Sequence, residues 1–270
     1  IKKVELYVNG KYAGEALNAP YLIEWAPETN GTYTLTAKAY DAYGGGEMSE
    51  RVIVTAKTKL IETVFEYDFE TYDGTDNNVP AGGMTNTNNI GVFSPANVDE
   101  EHGTSMRCDL TGNQTAGPLF LITPTNTKKG DIIAAEAELM VTNTANRITC
   151  FETNANNDAG ERVWGTELEF RDGNIVNIKT NQTLMPYETN KWYKIKMVFD
   201  FTNKRCDISI NGETLVSAQE FVETEWADLL NMRFTLFPQK ADTGTMYLDN
   251  IRIARVITAS EPISITAYSD

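Results

Sequence analysis

Apolar and polar residues alternate along most of this chain in short runs, most clearly across residues 191–212, KWYKIKMVFDFTNKRCDISING. Val198, Phe199, Phe201, Ile208 and Ile210 sit among polar residues, the period of two expected of strands covered on one face. The break at residues 202–204 and the dipeptide at 211–212 are hairpin signals, because both central residues of a type I′ turn need positive φ. The segment therefore predicts a β-meander.

The same pattern predicts strands over the rest of the chain. In the first part strands are predicted at residues 4–8, 22–25, 33–40 and 51–56. In the second part they are predicted at 64–70, 90–93, 105–110, 119–123, 132–142, 147–153, 162–171, 175–179, 192–201, 206–210, 214–221, 232–237 and 245–256. Helical periodicity is brief, near residues 223–230, and residues 73–89 are predicted to form a long polar loop. The pattern predicts an all-β chain with a two-sheet sandwich in its second part.

The length of 270 residues favours two domains. We predict one module at 1–57, a linker at 58–61 and a larger domain at 62–257. Residues 258–270 either open a following module, which is the preferred interpretation, or form a tail that docks on the first module.

The first module carries five sequence features. They are V-E-x-Y-V-N-G from Val4, A-P-Y from Ala19, G-T-Y-T-L-x-A-K-A-Y-D from Gly31, the glycines at 44–46 and S-x-x-V-x-V from Ser49. With these features the module resembles the bacterial immunoglobulin-like modules of large surface and polysaccharide-degrading proteins. The resemblance implies an immunoglobulin-like β-sandwich that is N-terminally truncated, since one or two further strands precede this point in the family.

The second domain carries W-Y-x-I from Trp192 and D-I-x-I-N-G from Asp207, while residues 246–251 match a closing strand. It thereby resembles laminin-G-like and concanavalin-like jelly rolls, including carbohydrate-binding modules. The resemblance implies a two-sheet jelly roll and a polysaccharide or glycan as its partner, beside the flanking domains of a larger parent protein.

The net charge of −15 argues against nucleic acid or anionic lipid as partners, since both require clustered Lys and Arg. No apolar run approaches the roughly 18 residues of a membrane span, so membrane insertion is not expected. With the resemblances, this favours a secreted or cell-surface location. Cys108, Cys150 and Cys206 lack metal-ligand spacing, and we expect buried small side chains, with one disulfide plus a free thiol as the alternative.

Acidic residues at two places indicate a calcium site. Glu66 and Asp68 share a strand face, and Asp249 lies in the last strand, which commonly neighbours the first in a jelly roll. Several hard oxygen ligands are what Ca²⁺ requires. The sugar-binding jelly rolls that the domain resembles often hold a structural calcium with acids from these places, so Ca²⁺ is the expected cofactor; a solvated acidic face is the alternative.

Glu167 and Glu169 are the one candidate catalytic pair. Alternate residues of a strand lie about 6.5–7 Å apart, between the carboxyl separations of retaining and inverting glycosidases. With Asp172 the spacing resembles the E-x-D-x-x-E signature of a family of jelly-roll glucanases. The middle Asp is replaced here by Glu169 and the last Glu by Asp172, so no catalytic residue is predicted and the chain is not expected to be an enzyme.

Sugar binding needs aromatic faces for stacking and planar polar groups for hydroxyls. The candidates are Trp164, Tyr187, Arg162, Arg147, Arg233 and Gln239. Trp25 and Trp192 are expected in cores, and His102 is expected to be a loop residue. We therefore predict non-catalytic carbohydrate binding, with a structural or adhesive spacer and then a glycosidase using Glu167 and Glu169 as the alternatives.

Overall fold

The computed structural model describes residues 1–25, 27, 31–56, 59–111, 117–143, 149–223, 225–237, 244–258 and 263–266. The first strands are β1 Lys3–Val8, β2 Lys11–Ala16, β3 Leu22–Trp25, β4 Gly31–Tyr40, β5 Gly46–Met48, β6 Val52–Ala56, β7 Lys59–Tyr67, β8 Gly83–Asn86, β9 Gly91–Asn97, β10 Thr104–Leu110 and β11 Leu119–Ile122. They are followed by β12 Ile132–Val141, β13 Thr149–Asn156, β14 Arg162–Arg171, β15 Asn174–Asn177, β16 Gln182–Pro186, β17 Trp192–Asp200, β18 Arg205–Ile210, β19 Glu213–Glu220, β20 Asp228–Leu236, β21 Thr245–Thr258 and β22 Ile263–Thr266. A short 3₁₀ helix covers Asp76–Asn78. The all-β class predicted from the sequence is confirmed.

The chain divides into two compact units, residues 1–61 with 257–270 and residues 62–256. In the first unit, β1 lies between β2 and β4, β4 also pairs with β5 and β6, and β22 pairs with β3. Val4, Leu6, Ile23 and Leu35 form its small core. Residues 263–266 thus pair with Leu22–Trp25, and both predicted roles of the C-terminal residues stay open.

Two sheets make up the second unit. The eight-stranded sheet has the order β19-β18-β17-β12-β21-β10-β9, and β7 also pairs with β21. The seven-stranded sheet has the order β16-β15-β14-β13-β20-β11-β8. Alternate residues of both sheets point inward and bury a continuous aromatic and aliphatic core, as in a sandwich. The remaining alternate residues form an outer face on each sheet.

Aromatic side chains of neighbouring strands pack together in the core. Phe151 and Phe234 on neighbouring strands are fully buried, with ring centroids 4.7 Å apart. In β17, Tyr193, Ile195 and Met197 are buried while the lysines between them face outward. The alternation in residues 191–212 thus arises, as the sequence predicts, because one face of each strand is covered by the core.

The predicted hairpin turns are confirmed. Asn211 and Gly212 both have positive φ, 52° and 81°, between β18 and β19. The predicted long loop at residues 73–89 is wrong in part, because β8 within it pairs with β11. This strand is polar and lies at a sheet edge, where main-chain pairing needs no apolar side chains.

Cys108 and Cys206 are buried and free, as the sequence predicts, and burial raises the pKa of Cys206 to about 12. The side chain of Cys150 lies outside the described part of the structure. Among the described residues, no helix is long and apolar enough to cross a bilayer.

Candidate functional site

A polar surface covers the outer face of the seven-stranded sheet where β14, β13 and β20 run side by side. We call it the polar face, and its members are Glu152, Asn154, Asn156, Arg162, Trp164, Glu167, Glu169, Asn231 and Arg233. Phe151 and Leu168 face each other on the core side, so the adjacent pair Glu152 and Glu167 points outward. The sheet register, rather than a loop, therefore fixes this surface.

A β-bulge in β14 brings Trp164 onto the polar face. From Glu167 to Trp164 the strand advances three residues, while β13 advances two from Glu152 to Asn154. In a regular strand, residues three positions apart point to opposite faces. The extra residue of the bulge therefore keeps Trp164 on the same outer face as Glu167. Gly165 is required in the bulge, because a Cβ there would collide with the carbonyl group of Thr153.

Hydrogen bonds fix the polar side chains next to Trp164. Arg162 Nε donates to Asn154 Oδ1 at 3.1 Å, and Asn154 Nδ2 donates to Asn231 Oδ1 at 2.8 Å. Two residues further along β13, Asn156 Nδ2 donates to Asp228 Oδ1 at 2.6 Å. Planar groups held in this way lose little further freedom when they bind a ligand.

Trp164 provides the exposed ring of the polar face. The residue is 50% exposed although it lies within a strand. Lys179 Nζ lies 5.7 Å from the ring centroid, and 3.7 Å from Glu223 Oε1. The ring thus combines an open apolar surface with an adjacent cation.

Three glutamates of the polar face are buried. Glu152, Glu167 and Glu169 are only 2%, 2% and 1% exposed. Arg233 forms an ion pair with Glu152, and Arg171 Nη1 lies 3.4 Å from Glu169 Oε2. Buried carboxylates require such partners, and their low exposure separates them from any ligand on the surface.

The structure brings together three of the six predicted binding residues, Arg162, Trp164 and Arg233. The pairing of Arg233 with Glu152 makes it a support for the polar face. Tyr187 is corrected from a surface ring to a core residue, since it is 5% exposed and its ring centroid lies 5.1 Å from that of Phe170. Burial raises the pKa of Tyr187 to about 12. Arg147 and Gln239 lie outside the described residues.

The predicted calcium ligands lie on the outer face of the other sheet. Glu66 and Asp68 line a depression of about 460 Å³. Glu66 is 3.9 Å from Arg252, while Asp249 is 1% exposed and accepts a hydrogen bond from Ser105 Oγ at 3.3 Å. Among the described residues, no three acidic, histidine or cysteine side chains are arranged to hold a metal ion. Calcium binding by Glu66, Asp68 and Asp249 stays a prediction.

The calcium prediction requires a higher melting temperature in calcium chloride than in EGTA. A cation that binds only the native chain must raise that temperature through mass action. Thermal unfolding under both conditions measures the effect. An increase in calcium that disappears in Glu66→Gln with Asp68→Asn would support the ligands predicted from the sequence, and an unchanged melting temperature would contradict them.

A buried histidine cluster lies on the same sheet, and the sequence did not predict it. His102 is 5% exposed, and its Nδ1 and Nε2 lie 2.8 Å from Asp99 Oδ1 and 2.9 Å from Glu138 Oε2. Its ring stacks on Trp192 with centroids 4.0 Å apart, and Trp192 Nε1 donates to Asp99 Oδ2. Trp192 is therefore corrected from a core residue to an outer-face residue. Burial opposes the charged form of His102, but the hydrogen bonds to the two carboxylates outweigh it and raise its pKa.

Comparisons with known proteins agree with this architecture. Residues 1–37 match the family model of a bacterial Ig domain. No curated protein matched the chain in the sequence comparison. The chain is similar to a solved sialidase with a TM-score of 0.55 at 11% identity, covering 84% of this chain and 21% of the sialidase.

Two further solved structures extend the likeness. A protein of unknown function from Shewanella oneidensis MR-1 has a TM-score of 0.50 at 14% identity, covering 76% of this chain and 90% of its own. Cip1, a cellulose induced protein, has a TM-score of 0.49 at 11% identity, covering 70% and 96%. The likeness to the sialidase and to the Shewanella oneidensis protein, at 11% and 14% identity, shows a shared β-sandwich fold alone, and this chain spans about a fifth of the sialidase.

Proposed function

We propose that the chain binds a polysaccharide without chemical change, on the polar face of the seven-stranded sheet. The observation that carries the proposal is a half-exposed Trp164 beside the exposed side chain of Arg162, which the buried Asn154 holds in place through a hydrogen bond. An indole face stacks on the apolar CH surface of a sugar ring, while a guanidinium group bonds its hydroxyls. Both requirements meet at one place on a rigid sheet.

The positions of the glutamates support binding over catalysis. A general acid or nucleophile must come within hydrogen-bond reach of the scissile bond. Glu167 and Glu169 are at most 2% exposed, and Glu169 is engaged by Arg171. A sugar stacked on Trp164 would meet the exposed side chain of Arg162 before it met either carboxylate.

The proposed setting is extracellular. The match of residues 1–37 to a bacterial Ig domain and the net charge of −15 both suit a module of a secreted or cell-surface protein with flanking domains. A structural or adhesive segment is the competing function, and it requires no glycan.

Affinity electrophoresis against a panel of polysaccharides tests the proposal. We expect at least one polymer to retard the whole chain, without release of reducing sugar. Migration that no polymer changes would favour the structural segment. Reducing sugar that is released by the native chain and lost in Glu169→Gln would instead establish a glycosidase.

A further inference from the structure

Of the two arginines on the polar face, Arg162 and Arg233, only Arg233 has an ion-pair partner among the described residues. Arg233 pairs with Glu152 and Arg171 with Glu169. Asp228 lies on the other side of Asn156 from Arg162 in the sheet, and it accepts a hydrogen bond from Asn156. Arg162 donates from Nε to the neutral Asn154, and in the described part of the chain it forms no ion pair. Its positive charge therefore has no protein counterpart there.

The charge of Arg162 lies beside the exposed ring of Trp164. Arg162 and Trp164 point to the same side of β14, and Asn154, which Arg162 contacts, lies directly opposite Trp164 in the sheet. Lys179, the other cation near the indole ring, is already paired with Glu223 at 3.7 Å. In a chain with a net charge of −15, a positive group beside the exposed ring is a local feature that the overall charge does not provide.

We infer that the glycan bound at Trp164 carries an acidic group, a carboxylate or a sulfate, which pairs with Arg162. The inference rests on the proposed function and adds the class of sugar. It makes a uronate or sulfated polymer the expected ligand and a neutral polymer a weak one.

The geometry of the guanidinium supports this pairing. The bond from Nε to Asn154 holds the plane of the group, and among the described residues neither Nη nitrogen forms a hydrogen bond. A planar guanidinium binds an oxyanion through two parallel hydrogen bonds, which a lysine ammonium cannot do. Arg162→Lys should therefore retain only part of the affinity.

The test compares one polymer in its acidic and neutral forms. Polygalacturonate, its methyl ester and dextran sulfate are titrated into the whole chain by calorimetry, at low and at high salt. We expect an acidic polymer to bind at least roughly tenfold more tightly than the ester, and this advantage to shrink with salt because ions screen surface charges. Whichever acidic polymer binds identifies the group as carboxylate or sulfate.

Two variants of equal charge complete the test. Arg162→Gln should lose roughly tenfold of the affinity for the acidic polymer, the scale of a charged hydrogen-bonded pair. Arg205→Gln, on the exposed surface of the eight-stranded sheet, should lose none. Equal binding of acid and ester, or equal affinities of the two variants, would overturn the inference while leaving the proposed function intact. A chain that binds no polysaccharide at all would overturn both.

Discussion

Replacing Trp164 with alanine is expected to remove most polysaccharide binding and to leave the melting temperature unchanged. The ring is 50% exposed and contributes little to the core, so its loss leaves no buried cavity. At a binding site, truncation of a central tryptophan costs about 2 kcal/mol or more, roughly thirtyfold in affinity. Calorimetric titration and thermal unfolding measure the two quantities on the same sample.

Two controls sharpen this prediction. Trp164→Phe keeps an aromatic face and should retain part of the affinity. Tyr43→Ala removes an aromatic ring that is 98% exposed in the first unit, and it should bind as the native chain does. Native affinity in Trp164→Ala would exclude the polar face as the binding surface.

Raising the pH from 6 to 8 is expected to destabilise the second unit through the cluster around His102. An imidazolium can donate to both Asp99 and Glu138, whereas a neutral ring can donate to only one of them. The pKa of His102 is raised in the folded chain, so its contribution is complete below about 6.5 and is lost as the pH rises through that higher value.

Asp249 adds to the effect in the same direction. Burial raises its pKa to about 7, above the unfolded value, so the folded state holds this proton more tightly. Stability from the protonated form is complete below about 4 and is lost as the pH approaches 7. Glu138 and Asp99 face the same cluster, and Lys194 approaches Glu138 to 3.2 Å. Deprotonation of His102 and Asp249 thus leaves the carboxylates of Asp99, Glu138 and Asp249 around a neutral imidazole ring.

Thermal unfolding of the native chain, His102→Gln and Asp249→Asn at pH 6 and pH 8 measures this pH response. His102→Gln should lower the melting temperature at pH 6 by roughly 5 °C, since removing one partner of a buried pair costs on the order of 2 kcal/mol. Asp249→Asn should unfold with a smaller change between pH 6 and 8. A native chain that is equally stable at both values, or more stable at pH 8, would contradict the assignment.

The sequence predicted those features that depend on local pattern. Alternation located the strands, and the turn chemistry of Asn211 and Gly212 located a hairpin. These predictions succeed because a strand's period and a turn's dihedral angles are properties of neighbouring residues.

The features that the sequence missed depend on distant partners. His102 meets Glu138 across 36 positions, and Ser105 meets Asp249 across 144. Tyr187 follows a proline and reads as a loop residue, but it packs under Phe170 from another strand. The bulge at Gly165 and the polar edge strand β8 carry no apolar signal, so strand register alone reveals them.

The indole N–H signals of the protein in solution test the central claim most directly. The chain contains four tryptophans, and their Nε1–H resonances can be assigned by single substitutions and followed while polysaccharide is added. The proposed polar face predicts that the Trp164 signal shifts or broadens while the Trp192 signal, on the opposite sheet, stays in place. A polymer that binds and moves the Trp192 signal, with Trp164 unaffected, would contradict the account.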